Sequence, residues 1–234
     1  MAWGRLIVGT GFCLLLSRIF LVIYRLSRRS ERPSRQDADI CSLAVFLGSG
    51  GHTAEASILL SALDFSRYCP RTYIVSEGDE LSNRRAVALE NLQSARNIPL
   101  AGRFNYKLMR IPRARHVHQS PLSASFTTFK CFLACVHLVT VAPLFQNATL
   151  RKPFVDLLIM NGPGTCVPLC AAIILNRIIG LPTPRMVFVE SFARVQSISH
   201  SGRILLHMVD RFIVQWPEQI ALTGGRGEYH GWLV

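Results

Sequence analysis

The sequence has few acidic residues and lacks the motifs of nucleic-acid recognition. It contains 14 aspartates and glutamates against 26 lysines and arginines, which gives a net charge of +12. Such an excess of positive charge indicates anionic partners, of which phosphates, acidic lipid headgroups and nucleic acids are the common classes. Neither zinc-finger spacing nor an aromatic motif of the ribonucleoprotein type accompanies the charge. We therefore expect diphosphate ligands and membrane lipids as partners, and no nucleic acid.

No Cys-x-x-Cys motif occurs among the seven cysteines, whose number is odd. Two pairs, Cys131 with Cys135 and Cys166 with Cys170, are spaced by four residues, which places each pair on one face of a helix. This pattern favours buried free thiols in a reducing compartment over disulfides or a metal site. We expect neither a metal nor a cofactor.

The signatures of nucleotide binding are incomplete. A glycine-rich turn at 48–51 lacks the third glycine of the dinucleotide fingerprint Gly-x-Gly-x-x-Gly. Ser76-Glu77 is the nearest match to the acidic residue that usually follows the second strand, so nicotinamide binding is disfavoured. The sequence has no Gly-Lys-Ser/Thr motif, so it gives no support for a nucleotide triphosphatase.

An apolar segment is present at the N-terminus. Leu6–Tyr24 comprises 19 residues with Arg18 as the one charge. A helix of this length extends about 28 Å, close to the hydrocarbon thickness of a bilayer. Arg18 lies near its C-terminal end, where the long side chain could reach the headgroups. Arginines crowd the downstream flank at positions 25, 28, 29, 32 and 35, and the positive-inside rule places that flank in the cytosol.

These features predict a membrane anchor at 1–24, a basic linker at 25–40 along the anionic leaflet, and a cytosolic domain beyond it. The alternative, a cleaved signal peptide, would carry its charges before the apolar segment and small residues at a cleavage site after it. A cytosolic domain would leave the sequon Asn147-Ala148-Thr149 unmodified, so a glycan on Asn147 would contradict this topology.

From residue 41 to residue 218, strand-like and helix-like segments alternate. Several candidate strands are continuous apolar runs typical of parallel sheets, and the full set is Leu43–Leu47, Thr72–Ser76, Tyr106–Ile111, Val155–Met160, Met186–Glu190 and Arg211–Gln215. The candidate helices are Thr53–Leu63, Glu80–Leu92, Leu122–Leu144, Val167–Ile179 and Arg203–Met208. This alternation predicts an α/β fold with a doubly wound parallel sheet, followed by a C-terminal tail at 219–234.

One predicted helix is unusually apolar. Phe126–Phe145 is rich in phenylalanine, leucine and valine, and it is interrupted by Lys130 and His137. Its composition allows a second membrane span. The two polar interruptions favour a buried helix or one apposed to the membrane.

A strand–turn–helix motif surrounds the first glycine turn. Gly48-Ser49-Gly50-Gly51-His52-Thr53 follows an apolar strand and opens a helix. Free backbone N–H groups and the helix dipole favour an anion at a helix start, and glycines let a ligand approach closely. His52 adds a side chain that could titrate, donate a hydrogen bond, cap the helix or simply pack there. The motif predicts a phosphorylated ligand.

A second glycine turn, Asn161-Gly162-Pro163-Gly164-Thr165, follows the fourth predicted strand. In an open parallel sheet both turns lie at the carboxyl edge of the strands, where they can flank a single crevice. Asn161 can donate and accept hydrogen bonds, and Thr165 is placed for an N-cap or a phosphate contact. The alternative is a plain tight turn fixed by Pro163.

Two further groups of titratable residues are candidates. Glu190 ends the fifth predicted strand, where its carboxylate could act as a general base or pair with Arg194. His116 and His118 stand among arginines, which favours a basic patch facing anions or the membrane over a metal site.

Several motifs in order resemble a known family. The first glycine turn, Asn161–Pro168, Val189-Glu190-Ser191 and Phe212–Pro217 all follow the N-terminal anchor. The chain up to about Glu218 resembles the membrane-anchoring subunits of the two-part UDP-N-acetylglucosamine transferase of the dolichol pathway. From Gln219 onward the resemblance is weaker, because the glycine-rich Thr223–Gly227 departs from the family's short ending.

The resemblance implies the acceptor-side, Rossmann-like half of a GT-B-type glycosyltransferase. The other half would be a soluble catalytic subunit that binds UDP-GlcNAc and is recruited by this chain, and the enzyme would be active only as a complex. That complex adds the second N-acetylglucosamine to dolichyl-diphosphate-GlcNAc at the cytosolic face of the endoplasmic reticulum. The nuclear envelope is a second expected location, and other enzymes of the dolichol pathway are further expected partners.

The resemblance also implies roles for particular residues. The catalytic candidates are Glu190 and His52, which matches the histidine in the corresponding turn of the bacterial lipid-linked glucosaminyltransferase. The acceptor diphosphate would contact residues of both turns: Gly48, Ser49, Gly50, Gly51, Thr53, Asn161, Gly162, Gly164 and Thr165. Apart from the resemblance, the apolar side chains of Trp232, Leu233 and Val234 predict contact with the partner subunit, because an apolar segment gains little by being exposed. Two alternatives stay open, namely a non-catalytic membrane scaffold with a relic Rossmann-like fold, and a membrane-tethered oxidoreductase.

Overall fold

The computed structural model describes residues 2–27, 40–96, 106–115, 119–146 and 152–234. Three predictions concern residues outside these ranges. They are the basic linker over 28–39, the basic patch at His116 and His118, and the sequon at Asn147.

Seven parallel strands form one sheet in the order β3-β2-β1-β4-β5-β6-β7. They are β1 (Leu43–Leu47), β2 (Arg71–Ser76), β3 (Tyr106–Ile111), β4 (Leu157–Asn161), β5 (Arg185–Val189), β6 (Arg211–Val214) and β7 (Gly227–Tyr229). The six predicted strands are confirmed, each within two residues of its predicted bounds. The strand order reverses between β1 and β4, which pair with Leu47 opposite Asn161. Both glycine turns therefore begin side by side at the switch point of a doubly wound sheet, where ligands bind in such folds.

The described ranges contain eight α-helices: α1 (Ala2–Ser27), α2 (Gly51–Ser61), α3 (Glu80–Arg96), α4 (Pro121–Val136), α5 (Ala142–Gln146), α6 (Cys166–Ile179), α7 (His200–Leu205) and α8 (Gln219–Leu222). A π-helical segment, His137–Val141, joins α4 to α5. The sequence analysis did not predict α8 or β7, which both lie in the segment 219–234. β7 pairs with β6, so this segment adds an edge strand to the sheet.

Both faces of the sheet are covered, and alternate side chains of β1 enter two separate cores. Val45 and Leu47 pack with residues of α2 and α3 on one face. Ala44 and Phe46 pack with residues of α4, α6 and α7 on the other face. Every residue of β1 is buried, which explains why the strand is a continuous apolar run without polar alternation.

The apolar helix predicted around 126–145 is buried on one face and exposed on the other. Its buried face carries two of the four cysteines that were expected to be buried, and all four are free thiols in one core: Cys131, Cys135, Cys166 and Cys170. Its exposed face carries large apolar side chains: Leu122, Phe126, Phe129 and Leu133. Of the helices that the structure describes, Leu122–Phe145 is the one long and apolar enough to cross a bilayer, judged by length and composition alone.

The N-terminal apolar segment forms the 26-residue helix α1, whose C-terminal half packs against the domain. Arg18 does not extend toward headgroups, because its Nε donates to the carbonyl of Ile178 at 3.2 Å and its Nη2 to that of Arg177 at 3.1 Å. These carbonyls lie at the C-terminal end of α6, where the helix dipole favours a cation. Val22, one turn after Arg18, is 8% exposed. Helix α1 therefore reaches the folded domain before Tyr24.

Candidate functional site

The two glycine turns lie against each other and enclose the side chain of His52. A Cβ atom on Gly48 would lie 2.6 Å from Cδ of Pro163 and 2.8 Å from Cβ of His52. Gly162 has a φ of +130°, and a Cβ atom there would lie 2.9 Å from Cγ of His52. Gly48 is required for close approach, and Gly162 for its backbone angle as well. The second turn is thus more than a plain connection, since it packs directly on the imidazole.

His52 is hydrogen bonded to the second turn, with Nδ1 at 3.0 Å from Oδ1 of Asn161. The amide nitrogen of Asn161 donates to Oε2 of Glu55 at 2.7 Å. The other oxygen of Glu55 accepts from the hydroxyl of Ser191 at 2.8 Å. We call His52, Asn161, Glu55 and Ser191 the histidine network. It joins the ends of β4 and β5 to the first turns of α2.

Glu55 was not singled out by the sequence analysis. Its partners Asn161 and Ser191 are 106 and 136 residues away along the chain, so only the fold reveals these contacts. One signal was available in the sequence, because Glu55 follows His52 by three residues, and this spacing places two side chains on one helix face. Glu55 is half-buried and also accepts from the backbone N–H of Phe192 at 3.3 Å.

The start of α2 offers backbone donors to a ligand. The first helical hydrogen bond runs from the N–H of Ala54 to the carbonyl of Gly50 at 3.3 Å. The N–H groups at 51–53 precede that bond and have no carbonyl partner within the helix. Ser49 and Gly50 are exposed beside them. The described residues hold no group of three or more side chains suited to a metal ion, whereas N–H groups at the positive end of a helix suit phosphate.

Thr53 does not reach the surface of the site, because the whole residue is 0% exposed, so the structure contradicts its predicted contact with the diphosphate. Its side chain is fully buried, with Oγ1 at 2.6 Å from Oγ of Ser82. The hydroxyl of Ser82 also lies 3.1 Å from the carbonyl oxygen of Gly48 and 2.7 Å from Oδ2 of Asp79. These contacts hold the first glycine turn against α3 and direct the Thr53 hydroxyl into the interior.

Thr165 stands at the N-cap position of α6, but its side chain makes no capping hydrogen bond to the helix. Its Oγ1 accepts from the backbone N–H of Ala114 at 3.4 Å, and the residue is buried. Thr165 therefore ties the second glycine turn to the loop after β3. The neighbouring Gly164 is exposed, so its backbone stays open to a ligand.

Glu190 is buried, and its carboxylate lies at the start of α7. Its Oε2 accepts from the backbone N–H and the hydroxyl of Ser199 at 3.1 and 3.0 Å, and its Oε1 from the N–H of Ser191 at 3.1 Å. Burial raises the pKa of this carboxyl above its usual value, although the hydrogen bonds oppose the shift. Within the described ranges Glu190 forms no ion pair with Arg194. Its part in catalysis stays a prediction.

The C-terminal tail lies on an aromatic cluster at the carboxyl edge of the sheet. The ring of Trp232 is centred 5.5 Å from that of Trp216 and 6.2 Å from that of Phe192. Trp232 is nevertheless 65% exposed, whereas Leu233 and Val234 are half-buried. Phe192 also donates its N–H to the histidine network, so the tail borders the candidate site.

Comparisons with known proteins agree with these motifs. The family described as oligosaccharide biosynthesis protein Alg14 like matches residues 43–233. The UDP-N-acetylglucosamine transferase subunit ALG14 of Cryptococcus neoformans is 47% identical over 205 residues, which cover 88% of this chain and 85% of that protein. The subunit of Schizosaccharomyces pombe is 39% identical over 227 residues, or 96% of this chain and 97% of that protein. The subunit of Homo sapiens is 42% identical over 177 residues, or 75% of this chain and 76% of that protein.

No solved structure matches the chain significantly. The family match runs from β1 to the C-terminal tail, and it therefore includes both glycine turns and the whole histidine network. The identity to curated relatives is high over most of each chain. This chain belongs to the Alg14-like family of oligosaccharide biosynthesis proteins.

Proposed function

We propose that this chain is the membrane-anchored, acceptor-binding subunit of a transferase that adds the second N-acetylglucosamine to dolichyl-diphosphate-GlcNAc. The relatives are named as subunits of a UDP-N-acetylglucosamine transferase, which supports the reaction class. One observation carries the acceptor role: the side chain of His52 lies at the start of α2, where the N–H groups of 51 and 52 have no carbonyl partner within the helix, at the switch point of the sheet. A diphosphate and a reacting hydroxyl need these two kinds of group side by side.

In this proposal the acceptor diphosphate lies against the starts of α2 and α6, near Gly50, Gly51 and Gly164. The hydroxyl oxygen of the acceptor sugar attacks the anomeric carbon of UDP-GlcNAc, the bond from that carbon to the UDP oxygen breaks, and the hydroxyl proton passes to Nε2 of His52. General-base catalysis of this kind contributes about 10²–10⁴-fold in rate. Glu190 is the less favoured base because its carboxylate already accepts three hydrogen bonds within the protein.

The donor site would lie on a second, soluble chain. One seven-stranded sheet accounts for a single Rossmann-like unit, whereas a GT-B-type enzyme needs two units that face each other across a cleft. The partner would face the carboxyl edge and contact the tail at 232–234, where Trp232 is largely exposed. Loss of co-purification on deleting 232–234 would support this contact, and unchanged co-purification would rule it out.

Two helices support attachment to a membrane. The part of α1 ahead of Arg18 would enter the bilayer of the endoplasmic reticulum, with the folded domain in the cytosol. Helix α4 exposes Leu122 at 89% and Phe126 at 72%, and the exposed Lys130 beside them suits anionic headgroups. These side chains lie near the start of α4, at the carboxyl edge, because Thr127 donates to the carbonyl of Ala114 just after β3. An apolar face in this position would hold the crevice near the bilayer that contains the dolichyl chain.

Reconstitution tests the proposed reaction. Vesicles containing dolichyl-diphosphate-GlcNAc should support transfer from labelled UDP-GlcNAc only when this chain and a donor-binding subunit are both present. The variant His52→Ala should lower transfer by about 10²-fold or more while the partner still co-purifies. The variant His207→Ala, in an exposed histidine outside the site, should leave transfer unchanged. Normal transfer by His52→Ala would contradict the role of His52 as base.

Acceptor binding by this chain alone separates the proposal from a non-catalytic scaffold. The full chain in detergent should bind dolichyl-diphosphate-GlcNAc without its partner and should bind dolichol much more weakly. A scaffold would recruit the partner and bind neither lipid specifically. A nicotinamide titration of the same sample tests the oxidoreductase alternative, for which binding of the dinucleotide would be required.

A further inference from the structure

We infer that Glu55 is a positioning residue that holds His52 in the tautomer with its hydrogen on Nδ1, acting through the side-chain amide of Asn161. This inference rests on the proposed function of His52 as the base, and it names the residue that prepares His52 for that task. Neither the glycine turns nor the family match assigns Glu55 a role.

The carboxylate of Glu55, when ionised, can only accept hydrogen bonds. Its Oε2 lies 2.7 Å from the amide nitrogen of Asn161, and its Oε1 lies 2.8 Å from the hydroxyl of Ser191. A carboxylate cannot donate to an amide oxygen, so the amide group of Asn161 must turn its nitrogen toward Glu55. The orientation of Asn161 is therefore set by the chemistry of its neighbour.

The orientation of Asn161 in turn determines the tautomer of His52. With its nitrogen directed to Glu55, Asn161 directs Oδ1 to Nδ1 of His52 at 3.0 Å. An amide oxygen only accepts, so the hydrogen of a neutral imidazole must lie on Nδ1. A neutral imidazole carries one ring hydrogen, so Nε2 keeps a free lone pair. That lone pair is what a general base requires.

The packing around the imidazole of His52 covers the side of the ring that carries Nδ1. Gly162 approaches Cβ, Cγ and Nδ1 of His52, and Gly48 approaches its Cβ. His52 is half-buried, and among the described residues none forms a hydrogen bond with its Nε2. The covered edge carries the fixed hydrogen, and the open edge carries the lone pair that can receive a proton from a substrate hydroxyl.

If Glu55 had a merely structural role, its replacement would leave the tautomer of His52 unchanged. Glu55 also accepts from Ser191 and from the N–H of Phe192, and loss of these contacts alone would loosen the loop after β5 without any effect on the tautomer of His52. The tautomer is therefore the readout that separates the two roles.

Nitrogen-15 NMR of the full chain in lipid nanodiscs, with labelled histidine, measures this tautomer directly, at a pH where the spectrum shows the ring to be neutral. The signal of His52 among seven histidines is the one that disappears in His52→Gln. The wild-type chain should show the hydrogen on Nδ1. A wild-type signal with the hydrogen on Nε2 would overturn the inference.

Three variants sharpen the test. Glu55→Ala removes the acceptor that fixes the amide group of Asn161, so the amide can turn, both tautomers of His52 should be populated, and the transfer rate should fall about tenfold. Glu55→Asp keeps an acceptor-only group and should retain the Nδ1 tautomer. Ser191→Ala removes the other contact of the carboxylate and should also retain it. An unchanged tautomer in a folded Glu55→Ala chain would overturn the inference.

The two proposals fail in different ways. If His52→Ala transfers normally while Glu55→Ala still changes the tautomer of His52, the proposed function of His52 as base is wrong and the positioning by Glu55 stands. If His52→Ala is inactive while the tautomer does not respond to Glu55→Ala, the base assignment stands and the positioning is wrong.

Discussion

Nδ1 of His52 and Oδ1 of Asn161 lie 3.0 Å apart, and this contact joins two glycine turns that are 109 residues apart in sequence. The pairing of β1 with β4 places the turns together, because Leu47 lies opposite Asn161 in the register. Gly162 then packs on the imidazole from the side of the second turn. The position of the candidate base therefore depends on both turns and on the switch point between the two halves of the sheet.

Replacement of Gly162 by alanine should displace the imidazole of His52 and destabilise the fold. The new Cβ would meet Cγ of His52 at 2.9 Å, and a φ of +130° is unfavourable for any residue with a side chain. We expect a loss of about 1–3 kcal/mol in the free energy of unfolding, measured by denaturant titration of the full chain in detergent. Gly164→Ala is the matched control for stability, because its Cβ meets nothing within 4 Å and the cost should stay near 0.5 kcal/mol or less. Equal losses in the two variants would contradict the packing argument.

A buried ion pair at the amino end of β2, on the face covered by α2 and α3, should dominate stability without affecting the site. Arg71 and Glu90 are each 1% exposed and make two contacts of 2.6 and 2.7 Å, and the hydroxyl of Tyr73 donates to the same carboxylate at 2.6 Å. Burial raises the pKa of Tyr73 far above its usual value, so this hydroxyl stays neutral and donates. Glu90→Ala leaves a buried, unpaired guanidinium and should cost about 3–5 kcal/mol in the free energy of unfolding.

The control for Glu90 is Glu80→Gln, which breaks the ion pair between Glu80 and Arg110. Both of these side chains are more than half exposed, so solvent screens the pair and its loss should cost about 1 kcal/mol or less. Both variants can be compared by denaturant titration. A cost for Glu90→Ala as small as that for Glu80→Gln would show that the buried pair contributes little.

Strands β1–β6 could be predicted from the sequence because several of them are apolar runs and all of them alternate with helix-like segments. β7 could not, because Gly227–Tyr229 has three half-buried residues and its strand geometry depends on pairing with β6. The two glycine turns could be recognised as ligand-binding motifs because each is a contiguous segment between a predicted strand and a predicted helix. Glu55 and the interior direction of the Thr53 hydroxyl could not, because their partners lie on other strands and helices. Arg18 likewise looked like a lipid-facing charge until its carbonyl partners on α6 were known.

Glu190 should make stability depend on pH. Burial raises the pKa of its carboxyl above the usual 4.5, and the opposing effects of Ser191, Ser199 and Arg194 do not cancel that shift. The folded chain therefore binds this proton more tightly than the unfolded chain does. The resulting contribution to stability is complete below pH 4.5 and is lost as the pH rises through the pKa of the folded state.

Glu190→Gln removes this titration, so its stability relative to the wild-type chain should rise as the pH increases above 4.5 and then level off. The other titrating groups are common to both chains and cancel in the difference. Denaturant titrations of both chains at several pH values, from about 4 to about 7, measure this difference. A stability difference that stays constant over the range would show that the carboxyl has no raised pKa in the folded state.

Arg18→Met should release the C-terminal half of α1 from the domain while leaving the apolar character of the helix intact. The guanidinium of Arg18 binds two carbonyls at the end of α6, and a Cβ atom on Gly180 would lie 3.1 Å from its Nη2. A cation at a helix C-terminus stabilises by up to about 2 kcal/mol in partly buried positions. Amide hydrogen exchange at Gly180 and Leu181, whose N–H groups close α6, should therefore become about five to thirty times faster.

Arg18→Lys is the matched control, because a lysine keeps the positive charge near the helix end but cannot bind two carbonyls with a planar fork. Its exchange rates should fall between those of the wild-type chain and Arg18→Met. If Arg18→Met exchanged as slowly as the wild-type chain, α1 would be held by its apolar contacts alone, such as that of the buried Val22. Exchange that accelerates as expected, in a chain that stays in the membrane fraction, would show that membrane insertion does not need the contacts of Arg18. Insertion would then depend on the part of α1 before Arg18, and the bilayer boundary would lie upstream of this residue.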